Sequence, residues 1–128
     1  MNNPPKIIAD TCIWIDFFRT KSATSNRMKE LLADNLIAGA GIILAELLQG
    51  AKANREREIV TDIFQAIDYF EITKDIWTEA GKLAAELRSQ GKTIPLSDII
   101  LACCAQKYNC DIFTIDKHFQ DIPGVKLI

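Results

Sequence analysis

Apolar residues fall along the chain in short runs broken by polar stretches, and the runs alternate between two kinds. Residues 6–10 end in an unbroken apolar block too short for a helix, which predicts a buried strand, with Pro4 and Pro5 keeping the preceding residues out of the sheet. Residues 11–18 predict a helix leading away from it. Thr20-Lys21-Ser22 is a polar break, and Ser25 is the expected N-cap of a second helix with Met28, Leu31 and Leu32 on its apolar stripe. A second strand is expected over 36–40, closed by Gly39 and Gly41. Residues 42–50 are apolar all round except for Glu46, the profile of a buried helix that stops at Gly50. Ile59, Ile63 and Ile67 recur at four-residue spacing, as do Val60 and Phe64, so 54–66 reads as an amphipathic helix.

The same alternation continues to the end. A third strand is expected over 68–72. Thr73 caps a long helix whose inner face is Trp77, Ala80, Ala84 and Leu87 and which ends at Gly91. A loop over 92–96 precedes a largely apolar helix over 98–108, capped by Ser97. Strands over 111–114 and 124–128 close the pattern. Strands separated by helices predict an α/β domain with a mainly parallel sheet covered on both faces. With 128 residues and no internal repeat or linker, the expectation is one domain spanning 1–128.

Composition narrows the function more than the fold. The formal net charge is −2, so the chain lacks the basic footprint of a protein that grips nucleic acid by bulk charge. A carboxylate–metal nuclease stays open, because such a site is acidic until the ion arrives. Cys12, Cys103, Cys104 and Cys110 form no C-x-x-C pair and read as reduced, mostly buried thiols of a cytoplasmic protein. Cys103, Cys104, Cys110 and His118 match no zinc spacing. The longest apolar run, 36–45, is too short to span a bilayer, and the first six residues carry no targeting character.

Four of the seventeen acidic residues do not fit a solvated reading. Asp10 ends an apolar strand, Glu46 interrupts the most hydrophobic helix, Asp98 opens a buried one, and Asp116 follows a strand. In parallel α/β sheets ligands sit beyond the carboxyl ends of strands, where Asp10 and Asp116 are expected. Each has a plain alternative: a helix cap for Asp10, a first-turn charge for Asp98, a turn for Asp116, an arginine partner or solvent for Glu46. If they converge, two carboxylates about 5 Å apart repel by roughly 3 kcal/mol at an effective dielectric near 20. Such a cluster protonates or holds a cation, and oxygen ligands select Mg²⁺ or Mn²⁺. Without a glycine-rich phosphate loop, metal-assisted phosphodiester hydrolysis is the simplest chemistry.

The ordered motifs Ile8-Ala9-Asp10-Thr11, Leu44-Ala45-Glu46-Leu47-Leu48-Gln49-Gly50, Pro95-Leu96-Ser97-Asp98-Ile99-Ile100-Leu101-Ala102 and Thr114-Ile115-Asp116-Lys117-His118-Phe119 resemble the PIN domain, and most closely its VapC-type ribonuclease toxins. The resemblance spans nearly the whole chain. It implies a Rossmann-like three-layer fold and a metal-dependent endoribonuclease acting on single-stranded or looped RNA. It implies that Asp10, Glu46, Asp98 and Asp116 bind Mg²⁺ or Mn²⁺, and that Thr114 supports the site by hydrogen bonding. It also implies a homodimer neutralised by a small VapB-like antitoxin, whose C-terminal segment covers the active-site groove. Many relatives carry Asp-x-Ser where this chain has Asp10-Thr11-Cys12. A thiol donates hydrogen bonds poorly and suits Mg²⁺ badly, which leaves Thr11 to supply polarity there.

The remaining candidates read as ordinary structure. His118, the single histidine, is weighed as a general acid but expected as a surface or helix-start residue. Trp14, Phe17 and Phe18 are expected in packing. Among Arg19, Lys21, Lys52, Arg55 and Lys117, the better phosphate contacts are Arg19 and Lys52, which follow site motifs. The competing readings are a catalytically silent PIN-like binding module and a receiver-type domain; the latter wants an adjacent acidic pair at the first strand end, which is absent here.

Overall fold

The computed structural model describes residues 4–128; Met1, Asn2 and Asn3 lie outside the described residues. The elements are β1 (Ile7–Ala9), α1 (Thr11–Arg19), α2 (Ala23–Ala33), β2 (Ile37–Ala40), α3 (Gly41–Gly50), α4 (Asn54–Ala66), β3 (Asp68–Phe70), α5 (Lys74–Ser89), α6 (Leu96–Lys107) and β4 (Asp111–Phe113), followed by a 3-10 helix, Lys117–Asp121. The four strands are all parallel, in the order β3-β2-β1-β4. Six helices flank them, which is the expected α/β, Rossmann-like PIN-type arrangement. β1 and β2 are buried at every position, as continuous apolar strands covered on both faces must be.

The strand order prepares a site. The chain winds outward from β1 through β2 to β3, then returns through α5 and α6 to place β4 on the other side of β1. The winding direction therefore reverses between β1 and β4, and ligands of open parallel sheets bind beyond the strand ends at such a point. Ala9 pairs with Phe113, and the Asp10 N–H donates to the Phe113 carbonyl at 2.9 Å. The polar residues that follow the two strands, Asp10 and Thr114, are thereby brought side by side.

Several boundaries differ from the sequence reading, each for a local reason. Ser22, not Ser25, caps α2: its Oγ accepts from the Ser25 N–H at 2.9 Å, and Ser25 turns fully inward. Pro95, not Ser97, precedes α6, and its carbonyl accepts from the N–H groups of Asp98 and Ile99, so the helix starts at Leu96 and carries Asp98 in its first turn. Thr73 does cap α5, accepting from the Ile76 N–H. The inner stripe of α5 begins at Ile76, however, and Trp77 is 50% exposed, because the compact aliphatic chain occupies the position facing the core. β3 starts at Asp68 as expected and ends at Phe70, two residues short of the expected 68–72. Residues 124–128 form no strand: they contribute one bridge, Leu127 to Ile112, at the open edge of β4.

Trp14 is fully buried at the centre of the aromatic cluster, with ring centroids 5.2 Å from Phe64, 6.0 Å from Phe18 and 6.1 Å from Phe17. Gly39 on β2 leaves room for that cluster. A Cβ there would lie 2.7 Å and 2.8 Å from ring carbons of Phe64 and 3.2 Å from Ile67. The Phe64 ring is pinned against Trp14 and cannot withdraw. Gly39→Ala is therefore expected to destabilise the protein by about 1–3 kcal/mol through overpacking, measured as a lower urea midpoint. An unchanged midpoint would show that the ring has freedom this packing denies it.

Candidate active site

The site is assembled beyond the carboxyl ends of β1 and β4. Asp10, 8% exposed, is the N-cap of α1, and its Oδ1 accepts from the Thr11 N–H at 2.8 Å. Its Oδ2 accepts from the Thr114 hydroxyl at 3.0 Å and lies 3.6 Å from Cys12 Sγ. The capping role weighed against a site role for Asp10 is thus compatible with it, since each carboxylate oxygen has a second lone pair. Thr114 Oγ also accepts from the Asp116 N–H at 2.9 Å, so one hydroxyl ties the first acid to the last.

Asp116 is the N-cap of the 3-10 helix, and its Oδ1 accepts from the His118 N–H at 2.9 Å. Asp98 reaches the same place from the first turn of α6. One ligand atom each from Asp98, Asp116 and His118 lies within 4.8 Å of the others, and among the described residues no other such group of acids, histidines and cysteines occurs. Asp98 Oδ2 is buried without a hydrogen-bond partner among the described residues. Its carboxyl is pushed up from an ordinary 3.8 to about 6, first by burial, then by the charges of Asp10 and Asp116, against the opposing influence of His118.

Glu46 stands at the rim rather than in the cluster. It is exposed, and its Oε1 accepts from the Thr11 hydroxyl at 2.9 Å. Thr11 is thus tied to Glu46, which is held by a hydroxyl rather than by an arginine. Cys12 also faces the site, 3.7 Å from Thr114 Oγ1. Burial, and secondarily the Asp10 charge, keep its thiol protonated, so it is a weak donor to Asp10 rather than a nucleophile. Cys104 and Cys110 are pushed up to about 11 by burial and play no part here.

The residue that the sequence reading undervalued is His118. Its Nδ1 lies 3.0 Å from Asp116 Oδ1 and 3.4 Å from Asp98 Oδ2. The spacing Asp116-x-His118 was the available signal: an aspartate after a strand bonds the backbone two residues on and folds that residue back beside it.

The donors present suit a divalent cation. Three carboxylates lie close together, one with a buried, unpartnered oxygen and a raised proton affinity, and a positive ion answers both. Beside the acids, a groove of about 480 Å³ between α1, α3 and α4 runs from Glu46 past Arg19, Lys52, Ile15, Phe18 and Ile59. Phe18 and Ile15 are 40% and 42% exposed on it. Among the described residues no helix is long and apolar enough to cross a membrane.

Comparison with known proteins agrees with this geometry. The family model of the PIN domain matches residues 7–125. Ribonuclease VapC1 of Haemophilus influenzae strain R2866 is 29% identical over 131 residues, spanning 98% of this chain and 86% of that protein. Ribonuclease VapC1 of Methanocaldococcus jannaschii is 24% identical over 125 residues, spanning 95% and 86%. The crystal structure of VapBC2 from Rickettsia felis, bound to a DNA fragment from its promoter, contains a chain that superposes with a TM-score of 0.78 at 25% identity, covering 95% of this chain and 96% of that one.

Proposed function

Since the chain belongs to the PIN domain family, we propose that it is an endoribonuclease, the toxin of a VapBC-type pair, which hydrolyses RNA phosphodiester bonds at a Mg²⁺ or Mn²⁺ site held by Asp10, Asp98 and Asp116, with Glu46 at its rim. The observation that carries this reading is Asp98: a carboxylate raised by burial and by the charges of Asp10 and Asp116, whose buried Oδ2 has only a 3.4 Å contact with His118 Nδ1. The relatives named ribonuclease VapC1 and the VapBC complex support this choice of reaction and partner class.

Within that reading each residue has a task. Asp98, Asp116 and Asp10 hold the ion, and Thr114 fixes Asp10 and the backbone of Asp116 relative to each other. Bound there, a hard divalent ion would supply Lewis-acid polarisation of the phosphodiester and would stabilise charge on the departing oxygen. Glu46, oriented through one oxygen by Thr11, accepts a hydrogen bond from the attacking water and receives its proton. Arg19 and Lys52, which line the groove leading to Glu46, hold backbone phosphates of the RNA.

The test is cleavage of structured RNAs by purified protein. Cleavage should require Mg²⁺ or Mn²⁺ and stop on chelation. Asp10→Asn should reduce it by about hundredfold or more, and Arg19→Ala with Lys52→Ala should weaken RNA binding and flatten its salt dependence. Metal-independent cleavage, or cleavage undiminished by Asp10→Asn, overturns the mechanism.

The partner is a small antitoxin whose C-terminal segment lies in the groove and covers Glu46, seated by apolar contact with Ile15, Phe18 and Ile59. If a short reading frame adjoins the gene, co-expression with its product should yield a complex that does not cleave RNA; free toxin from that experiment overturns the pairing. The chain acts as a single domain and as a homodimer, which a monomeric mass in light scattering at micromolar concentration would contradict.

A further inference from the structure

His118 stands where a cation ligand would stand. Its Nδ1 is 3.0 Å from Asp116 Oδ1 and 3.4 Å from Asp98 Oδ2. In an octahedral shell with ligands about 2.1 Å from the ion, neighbouring ligands are about 3.0 Å apart and opposite ones about 4.2 Å. The two His118 distances fall between the neighbouring and opposite positions of such a shell, and the donors of Asp98, Asp116 and His118 all lie within 4.8 Å of one another. A plain ion pair accounts for the arrangement less well. At 3.4 Å the His118–Asp98 contact leaves Asp98 Oδ2 without a hydrogen bond, although the oxygen is buried. The His118 backbone N–H is bonded to Asp116 Oδ1, which keeps the residue beside the acids independently of the charge on its ring.

We propose that His118 supplies an imidazole nitrogen to the divalent ion held by Asp98 and Asp116, and that this nitrogen makes the site favour Mn²⁺ over Mg²⁺. The inference rests on the metal-dependent reading of the site given above. Mg²⁺ prefers an all-oxygen shell, whereas imidazole suits the first-row transition ions. A site made of carboxylates alone has no comparable reason to discriminate between them.

Two measurements on the intact protein test this. Calorimetric titration with MnCl₂ and with MgCl₂ compares wild type, His118→Ala and His118→Gln, with circular dichroism confirming that each is folded. Electron spin-echo spectra of the Mn²⁺-loaded proteins report nitrogen coupling to the ion directly. Wild type should bind Mn²⁺ more tightly than Mg²⁺. His118→Ala should lose about tenfold or more in Mn²⁺ affinity and far less in Mg²⁺ affinity. His118→Gln, which offers an oxygen instead, should retain Mg²⁺ and lose the Mn²⁺ preference. The nitrogen modulation should be present in wild type and absent from both variants. An unchanged Mn²⁺-to-Mg²⁺ ratio, or a wild-type spectrum without nitrogen modulation, overturns His118 as a ligand while leaving the carboxylate site standing. Wild type that binds neither ion overturns the metal reading itself, and this inference with it.

Discussion

Asp98→Asn should make the metal-free protein more stable and the enzyme inactive. Asp98 carries the unfavourable electrostatics of the site: its carboxyl is raised to about 6 by burial and by Asp10 and Asp116. The sign of the stability effect follows from that direction. Below the ordinary value of 3.8 the group is protonated in both folded and unfolded chains and exerts no penalty. As pH rises from there through about 6, the unfolded chain gives up its proton first, so folding is progressively opposed. Above about 6 the penalty is complete. The shift converts to about 3 kcal/mol, and screening at the open side of the site reduces it to about 1–3 kcal/mol.

Asparagine keeps the shape and removes the charge. In chelator at pH 8, Asp98→Asn is expected to melt higher by about 3–10 °C, with the gain shrinking as pH falls toward 5. RNA cleavage in Mg²⁺ or Mn²⁺ should fall by about hundredfold or more, equivalent to about 2.7 kcal/mol of barrier, because an amide is a poor ligand where a carboxylate is required. Thermal melts in chelator across pH, paired with a cleavage assay, read both effects. A variant that melts lower at pH 8 would refute the account of Asp98 as a strained charge, and one that still cleaves would remove Asp98 from the machinery.

Trp14→Ala should be the most damaging change to stability. Trp14 has no exposed surface and meets three phenylalanine rings, so truncation leaves a large cavity worth about 3–5 kcal/mol. Domains of this size are stable by only about 5–15 kcal/mol, so much of the margin disappears. The effect reaches the site because Trp14 anchors α1, the helix that Asp10 caps and that carries Thr11 and Cys12. Trp14→Phe should be far milder. It keeps a ring in the cluster and removes an indole N–H that is buried without a partner among the described residues. Urea denaturation of the three proteins measures this ranking. A Trp14→Ala midpoint close to wild type would show that the aromatic cluster does not hold α1 in place.

Much of this fold was legible in residue pattern alone. The apolar blocks at β1 and β2, the four-residue spacing of α4 and the polar break at 20–22 each report a local energetic requirement, and local requirements are written in local sequence. The errors occurred where two neighbouring residues offered the same local chemistry. Ser22 and Ser25 can each cap a helix, and Trp77 and Ile76 can each begin an apolar stripe. Packing against the rest of the molecule chose between them.

The opening strand shows where sequence stops. Asp10 at the end of an apolar run was conspicuous by itself, because an unpaired carboxylate there is costly. Glu46, Asp98 and Asp116 were conspicuous for the same reason, and their order along the chain resembled the PIN domain. Sequence thus determined which acids needed an explanation and which family they belong to. Their positions relative to one another were decided by the tertiary structure: the β3-β2-β1-β4 order sets Asp10 beside Thr114, the start of α6 at Leu96 brings Asp98 in, and Glu46 is left at the rim on Thr11. His118 is the clearest case. The spacing Asp116-x-His118 could place the ring beside Asp116, but nothing in the sequence links it to Asp98, which is twenty positions away. Only the folded chain brings that nitrogen to the acids, since proximity between distant residues is set by sheet order and helix packing, which no local pattern encodes.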